Sequence, residues 1–346
     1  MTTFAKFVRP EQPRPGTITE RDIDIVEAIL RYRFSPTSQL VRLVGGSEDV
    51  THRRLRRLWE KALINRWAFP GIRTHSEFHY YLDSREPPDL LIAHGRIAEP
   101  HPTMLEEIRN NREKDYASAA VRGQHMQLGF LRHSLVISRM HFMLEMACRQ
   151  SGGSVSLDAW SQGGPLAGNK VHVPKIISSR RGNDYLWQES GETERVPVEP
   201  DALFALGLSK ATAGQRQAHF FYEADRGTMN TTDMLKKLRG YYHFIKKQQR
   251  HREAFGIHPI RAVLVETNTE GRARRLMELV HHPLLCGRDK RAGLFWFTIS
   301  TLFTDLQSAG GDQLRPQHLA NPEVLFGPIW ALPDGSLHRL EDSENS

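Results

Sequence analysis

The sequence predicts an α+β chain, with a small helical N-terminal domain followed by a larger domain that contains a mixed sheet. From Thr19 to about Ala62, apolar residues recur at helical spacing, and two short alternating runs follow. From Leu128 onwards, apolar runs of strand length alternate with helical segments, which is typical of α/β architecture. The 346 residues suffice for two modest domains, each with its own core.

Sequence signals mark the ends of the first two helices. Thr19 and Asp22 form a capping signature, because each side chain can bind the backbone N–H of the other at a helix start. Ser35-Pro36 predicts an N-cap followed by a proline in the first turn of a second helix. Gly45-Gly46 should end that helix, since glycine is favoured just after a helix C-terminus.

A third helix and a hairpin complete the N-terminal domain. The helix is expected over about 49–62, and strands over 64–69 and 78–82 flank a Pro70-Gly71 turn. Three helices followed by a hairpin are the order of a winged helix-turn-helix, whose recognition helix enters the major groove of DNA. We therefore assign residues 17–84 to such a domain.

The predicted recognition helix, which begins at about Val50, has an apolar face and a cationic face. Leu55 and Leu58 fall on one face, and we expect them to be buried against the first helix. Arg53 and Arg57 point almost directly away from that face. Because arginine suits phosphates and guanine edges, the opposed faces predict a helix that packs on a core and binds DNA.

Cationic residues are concentrated around this helix. Between residues 50 and 73, seven Arg and Lys side chains accompany one acid, Glu60, which gives a local net charge of +6. The alternative is a solvated basic face on an ordinary three-helix domain. The order of the predicted elements and the position of the cationic residues together favour DNA binding. The expected DNA-binding residues are Arg53, Arg54, Arg56, Arg57, Lys61, Arg66 and Arg73.

Turn residues and changes in the periodicity of apolar residues divide the rest of the chain into four segments. Residues 1–16 are a Pro-rich tail, 85–127 a linker or helical connection, 128–306 the α/β domain and 307–346 a C-terminal extension. In the α/β domain we expect helices over 131–149, 231–252 and 270–281, and strands over 154–160, 199–206, 218–225, 260–266 and 294–300.

Acidic residues stand at the ends of two predicted strands of the α/β domain. Asp201 lies on one strand, and Glu223 and Asp225 end the next, so adjacent strands would bring them together. Carboxylate oxygens are the ligands that Mg²⁺ requires, and such a site supports metal-assisted phosphodiester hydrolysis. The three acids are therefore candidate metal ligands and catalytic residues, with Mg²⁺ as the cofactor. Solvated acids at strand ends are the alternative explanation.

Pro200-Asp201 and Glu223 resemble the motif of the PD-(D/E)-x-K nuclease superfamily. This resemblance implies that the second part is an α/β restriction-endonuclease-like domain with a mixed sheet. The lysine of that motif is replaced here by Asp225, and Lys237 on the following helix is the expected substitute. Glu145 on the preceding long helix is a further candidate acid. The departure at position 225 favours a nuclease-like fold that does not cleave DNA.

A second basic run lies in the same domain. Residues 226–253 contain eight Arg and Lys against two acids, a local net charge of +6. Leu235, Leu238, Tyr242 and Ile245 recur at the spacing of a buried helical stripe. A solvated helix face and a face that contacts phosphates both remain open for this run.

Several segments together resemble the replication-relaxation family. They include ITERDIDIVEAILRYRFSPTSQL, THRRLRRLWEKALI, EPDALFAL and FFYEADRGTM, in an order that extends over roughly residues 17–300. The resemblance implies a winged-helix N-terminal part, a nuclease-like C-terminal part, and association with the replication, relaxation or mobilisation of plasmids and mobile elements. The residues at its recognisable positions are His133, Glu223, Asp225, Arg226 and Tyr241.

The composition limits the classes of partner and the compartment. A net charge of +7 favours an anionic partner, either nucleic acid or an anionic membrane. No apolar run is long enough to span a bilayer, and the first residues contain no signal-peptide core. The two cysteines, Cys148 and Cys286, form no C-x-x-C pair, which disfavours a zinc finger and fits the reducing cytoplasm.

Three functional hypotheses follow. The leading one is a cytoplasmic protein of a plasmid or other mobile element that binds double-stranded DNA and contains a non-cleaving nuclease-like domain. Its partners would include replication or mobilisation proteins, and a homodimer is left open. The first rival is a metal-dependent endonuclease that uses Asp201, Glu223 and Asp225. The second is a winged-helix transcriptional regulator with a dimerisation or sensing domain.

Overall fold

The computed structural model describes residues 9–12, 15–68, 77–114, 125–181, 184–212, 214–257, 259–305 and 313–342. The chain divides into two compact units, and each of them is built from two stretches of chain. The first unit comprises Met1–Phe142 and Asp305–Ala320, and the second comprises Met143–Thr304 and Asn321–Ser346.

The structure has helices and strands in both units. The α-helices are α1 Glu20–Tyr32, α2 Thr37–Val44, α3 Glu48–Glu60, α4 Glu86–Ala93, α5 Pro102–Lys114, α6 His125–Gln150, α7 Thr231–Tyr242, α8 His251–Phe255, α9 Glu270–Val280 and α10 Pro316–Ala320. The strands are β1 Ser35–Pro36, β2 Asn65–Trp67, β3 His79–Tyr81, β4 Val155–Gln162, β5 Lys170–Arg181, β6 Asp184–Pro197, β7 Ala202–Leu208, β8 Gln217–Asp225, β9 Ile260–Thr267, β10 Phe295–Ile299, β11 Thr304–Asp305, β12 Gln313–Leu314, β13 Trp330–Ala331 and β14 Leu337–His338. In the described part of the chain, no helix combines the length and the apolar character needed to cross a membrane.

The predicted cap of α1 is confirmed. The backbone N–H of Thr19 donates to the carboxylate of Asp22 at 2.9 Å, and both halves of the capping box are present. The prediction for α2 was wrong by one residue, because Ser35–Pro36 is strand β1 and the helix begins at Thr37. Pro36 has no N–H, and it is tolerated here because β1 is an edge strand.

Helices α1 to α3 pack on a three-stranded antiparallel sheet in the order β1-β3-β2. Leu55 and Leu58 of α3 are 0% and 1% exposed, which confirms the predicted phase of this helix. Leu91 of α4 and Ile108 of α5 belong to the same apolar core, and both lie in the segment 85–127 that was predicted as a linker or helical connection.

The second unit contains a seven-stranded sheet in the order β14-β13-β10-β9-β8-β7-β4. Strands β8, β9 and β10 run parallel, with α7 and α9 as their crossover helices, whereas β4 and β7 pair antiparallel. The chain order along this core is α6, β4, β7, β8, α7, β9. The predicted mixed α+β class with a mixed sheet is therefore confirmed.

Two elements of the second unit were not predicted. Strands β5 and β6 form a long two-stranded hairpin over 170–197. The helix expected over 231–252 ends instead at Tyr242 and is followed by a π-helical turn, His243–Lys247, and the short α8. Gln249, which lies between the turn and α8, has a φ of +51°.

Arg239 of α7 attaches the hairpin to the rest of the second unit. Its guanidinium donates to the backbone oxygens of Leu284 and Pro174, each at 2.7 Å, and pairs with Glu189 at 2.8 Å. The Arg239 side chain is only 1% exposed, so these acceptors replace water around a buried charge.

Candidate nucleic-acid interface and carboxylate cluster

The solvent side of α3 carries arginines. Arg53, Arg56 and Arg57 are exposed, directly opposite the buried leucines of the same helix. They line an open groove of about 840 Å³. The other residues along this groove are Pro15, Val50, Arg54 and Glu60. The amphipathic sequence of α3 therefore places a cluster of guanidinium groups on one accessible surface.

The arginines of α3 differ in their partners. Arg56 pairs with Glu60 at 2.9 Å, so one acid offsets one cation of the groove. The guanidinium of Arg57 lies against the backbone of Gly16, where an added Cβ would meet it at 2.7 Å. Among the residues that the structure describes, no hydrogen bond or ion pair engages the guanidinium of Arg53 or Arg57. These two cations are therefore available for an anionic ligand.

Arg54 is turned towards the protein. Its Nη1 donates to Asp22 and to the hydroxyl of Thr19, both at 2.8 Å, and its side chain is 23% exposed. The Asp22 carboxylate is 6% exposed and also caps α1. Arg54 thus joins α3 to the start of α1 by a charge-assisted hydrogen bond.

The remaining predicted DNA-binding residues lie in different surroundings. Lys61 follows α3 and is half-buried. Arg66 is 9% exposed, with its guanidinium carbon 3.7 Å from the ring centroid of Trp59 and 4.2 Å from that of Phe78. Burial lowers the pKa of Arg66. Arg73 and the Pro70-Gly71 turn lie outside the described residues.

Two of the predicted acids lie side by side at one end of the neighbouring strands β7 and β8. Asp201 immediately precedes β7, and its carboxylate accepts the backbone N–H of Ala224 at 2.8 Å. Glu223 is 6% exposed near the end of β8. Because Ala202 of β7 pairs with Tyr222 of β8, Asp201 and Glu223 occupy neighbouring positions on the two strands.

Glu223 has two cross-element partners on α7. Lys237 Nζ lies 2.5 Å from its carboxylate, and the hydroxyl of Tyr241 donates to the other oxygen. Burial raises the pKa of Glu223 to about 7, while the ion pair with Lys237 opposes that rise. Lys237, the expected substitute for the motif lysine, therefore contacts Glu223.

Asp225 is held by a residue that sequence reasoning missed. Arg272 of α9 donates to the Asp225 carboxylate at 2.7 Å, and both side chains are at least nine-tenths buried. Thr267 of β9 contacts the same carboxylate at 3.3 Å. The sequence did contain a pattern that could have predicted this contact. Arg272 falls in the first turn of a predicted crossover helix, and that turn lies at the carboxyl ends of parallel strands.

In the described ranges, no three His, Cys, Asp or Glu side chains form a group that could hold a metal ion. Two of the predicted acids have protein cations as partners, since Lys237 engages Glu223 and Arg272 engages Asp225. The further candidate acid, Glu145, pairs with Arg149 at 2.8 Å on α6. The structure thus brings Asp201 and Glu223 together and satisfies Asp225 with an arginine.

These observations define an α+β protein with a cationic helix in one unit and a buried carboxylate–cation network in the other. A family model described as Replication-relaxation matches residues 27–260, more than half of the chain. The chain therefore belongs to the replication-relaxation family, as its segments predicted. Neither the comparison with curated proteins nor the comparison with solved structures gives a match.

Proposed function

We propose that this chain binds double-stranded DNA through α3 and acts in the replication, relaxation or mobilisation of a plasmid or other mobile element. The observation that carries the proposal is the solvent face of α3, where Arg53 and Arg57 have no partner within the described chain. Membership of the replication-relaxation family supports a role in replication or relaxation. Two cysteines that form no disulfide are consistent with the cytoplasm.

The architecture of the first unit supports a winged helix-turn-helix. The element order is α1, β1, α2, α3, β2, β3, and the sheet order is β1-β3-β2. In such a domain the third helix inserts into the major groove, and the exposed side of α3 carries the guanidinium groups that this role requires. Arg66 is not part of the proposed contact surface, because its guanidinium is stacked between aromatic rings.

The second unit is proposed to be a nuclease-like domain that does not cleave DNA. The order α6, β4, β7, β8, α7, β9 and the acids at one end of strands β7 and β8 support the nuclease-like assignment. The ion pairs of Glu223 with Lys237 and of Asp225 with Arg272 support the absence of cleavage, because each acid is neutralised by a protein cation. A metal-dependent endonuclease remains the alternative, and a metal ion would have to displace these cations.

DNA binding can be tested with a charge-matched pair of variants. Arg53→Ala/Arg57→Ala should weaken binding to duplex DNA and make the log–log salt dependence shallower by about 0.9 for each phosphate that the variant no longer neutralises. The control is Arg109→Ala/Arg112→Ala, which removes two exposed arginines from α5 of the same unit. Fluorescence anisotropy over a salt series measures both quantities. Equal affinities of the two variants would contradict the assignment of α3.

The non-cleaving assignment can be tested by plasmid nicking. Wild-type protein should leave supercoiled DNA intact in Mg²⁺ and in Mn²⁺. Nicking by the wild type that disappears in both Glu223→Gln and Lys237→Ala would establish the endonuclease alternative. Glu270→Gln serves as the matched control, because Glu270 is exposed on α9 and pairs only with Arg274 within the described residues.

A promoter-binding assay separates the transcriptional regulator from the leading proposal. A regulator should protect DNA next to its own gene, whereas a replication or mobilisation protein should select origin or transfer sequences. Sequencing of DNA fragments retained by the wild-type protein, with Arg53→Ala/Arg57→Ala as the control, distinguishes these outcomes.

A further inference from the structure

A second cationic surface lies in the second unit, where α7 gives way to the π-helical turn. Lys246 and Lys247 end this turn, and both are exposed. The segment 243–252 contains no acid. A π-helical turn carries an extra residue in the helical ladder and is frequent at functional sites. Here it ends in two consecutive lysines whose side chains are open to solvent.

Hydrogen bonds fix this segment against strand β5. The side chain of Gln248 donates to the backbone oxygen of His172 at 2.8 Å. The guanidinium of Arg250 donates to the backbone oxygen of Lys170 at 2.5 Å. The side chains of Lys170 and His172 are themselves exposed. The lysines of the turn and the basic residues of β5 therefore belong to one surface.

Strand pairing adds a further cation to that surface. His172 pairs with Arg195 of β6, and directly paired residues project from the same face of an antiparallel ribbon. Arg195 is exposed, whereas Val171 and Val196, which project from the opposite face, are buried in the core. We call this the β5–turn surface. Its cations are Lys170, Arg195, Lys246, Lys247 and Arg250, and the side chain of His172 lies among them.

The arrangement of these cations indicates the class of ligand. They are spread over two strands and a turn, and all are exposed, so they suit an extended polyanion with regularly spaced charges. Lysine contributes a flexible point charge, whereas recognition of base edges relies mainly on bidentate side chains. The surface is therefore suited to the phosphate backbone of duplex DNA, without preference for sequence.

We propose that the β5–turn surface is a second, sequence-independent contact of this protein with the DNA backbone. The inference rests on the proposed DNA-binding function and extends it to the second unit. It assigns base recognition to α3 and part of the electrostatic affinity to Lys246 and Lys247. The two surfaces can be tested separately, because they lie in different units of the chain.

The test compares Lys246→Ala/Lys247→Ala with Arg275→Ala/Arg288→Ala in the full chain. The control also removes two exposed cations from the second unit. Binding to a duplex of about 40 base pairs is measured over a salt series. The lysine variant should weaken binding to every sequence equally and make the log–log salt slope shallower by about 1.8, or 0.9 for each phosphate that it no longer neutralises. A slope equal to that of the control would overturn the proposal.

A combined variant separates this proposal from the assignment of α3. If both surfaces bind DNA, Arg53→Ala/Arg57→Ala should retain salt-dependent binding, and adding Lys246→Ala/Lys247→Ala should weaken that binding further and make its salt slope shallower. Abolition of binding by the lysine variant alone would support the β5–turn surface and refute α3. Sedimentation with phosphatidylserine vesicles gives a third arm, in which vesicle binding that depends on the lysines, with unchanged DNA binding, would overturn the proposal.

Discussion

Arg54→Ala should destabilise the first unit, although the neighbouring Arg53→Ala should not. Arg54 binds both the Asp22 carboxylate and the Thr19 hydroxyl at 2.8 Å, across 32 and 35 residues of sequence. Arg53 is exposed and makes no such contact within the described chain. The two substitutions remove the same charge from adjacent positions of one helix, so their difference isolates the tertiary contact.

The expected cost follows from the burial of the two partners. Hydrogen bonds to charged groups contribute about 1.5–3 kcal/mol each, and the value falls where water screens the pair. Asp22 is 6% exposed but keeps its bond to the backbone N–H of Thr19, and Arg54 is 23% exposed. We therefore expect Arg54→Ala to lower the free energy of unfolding by about 2 kcal/mol. Arg53→Ala should change it by less than about 0.5 kcal/mol.

Two measurements check this difference. Urea unfolding gives the global change, and hydrogen exchange at the backbone amides of Asp22 and Ile23 reports the opening of the α1 start. Both should respond to Arg54→Ala and neither to Arg53→Ala. Equal stabilities of the two variants, or faster exchange in Arg53→Ala, would refute the reasoning and require a different orientation of α3.

Three further predictions concern the cores. Leu58→Ala should cost about 2–5 kcal/mol in urea unfolding, because Leu58 is 1% exposed, and a neutral result would contradict the phase of α3. Burial lowers the pKa of His79 to about 4 from 6.5, so the unfolded chain takes up its proton first and stability falls as the pH decreases from 6.5 to 4. The decrease should be on the order of 3 kcal/mol, and the His79→Phe variant should lack this component. Burial raises the pKa of Cys148 and of Cys286 to about 12, so native thiols should react with an aromatic disulfide reagent at least about a hundredfold more slowly than unfolded ones. Fast labelling of the native protein would contradict their burial.

Local periodicity was enough to predict α3 and the strands around the carboxylates. Leu55 and Leu58 recur at helical spacing, and β8 and β9 are apolar runs of strand length. Periodicity could not predict that Arg54 is paired within the protein while Arg53 is exposed, because the contact of Arg54 depends on Asp22 in another helix. The stacking of Arg66 on Trp59 could not be predicted either, since that contact depends on tertiary packing.

The β5–β6 hairpin was missed for a different physical reason. Its strands contain polar runs such as Ser178-Ser179 and Glu192-Thr193-Glu194, which weaken the apolar alternation that predicts strands. The end of α7 was missed because the change to a π-helical turn at His243 has no glycine or proline to mark it. The partner of Asp225 could not be predicted from local pattern, because Arg272 lies 47 residues later in the chain.

The division of each unit into two stretches of chain has a consequence for biosynthesis. Strand β13, whose Trp330 is fully buried, pairs with β10 of the seven-stranded sheet. This strand emerges from the ribosome only after Ala320, which is the last residue of the first unit. Neither unit can therefore reach its complete packing while the chain is still short, even though domains generally fold as units during synthesis. A nascent chain halted at residue 304 would contain α3 and most of the large sheet, but both units would lack their second segments.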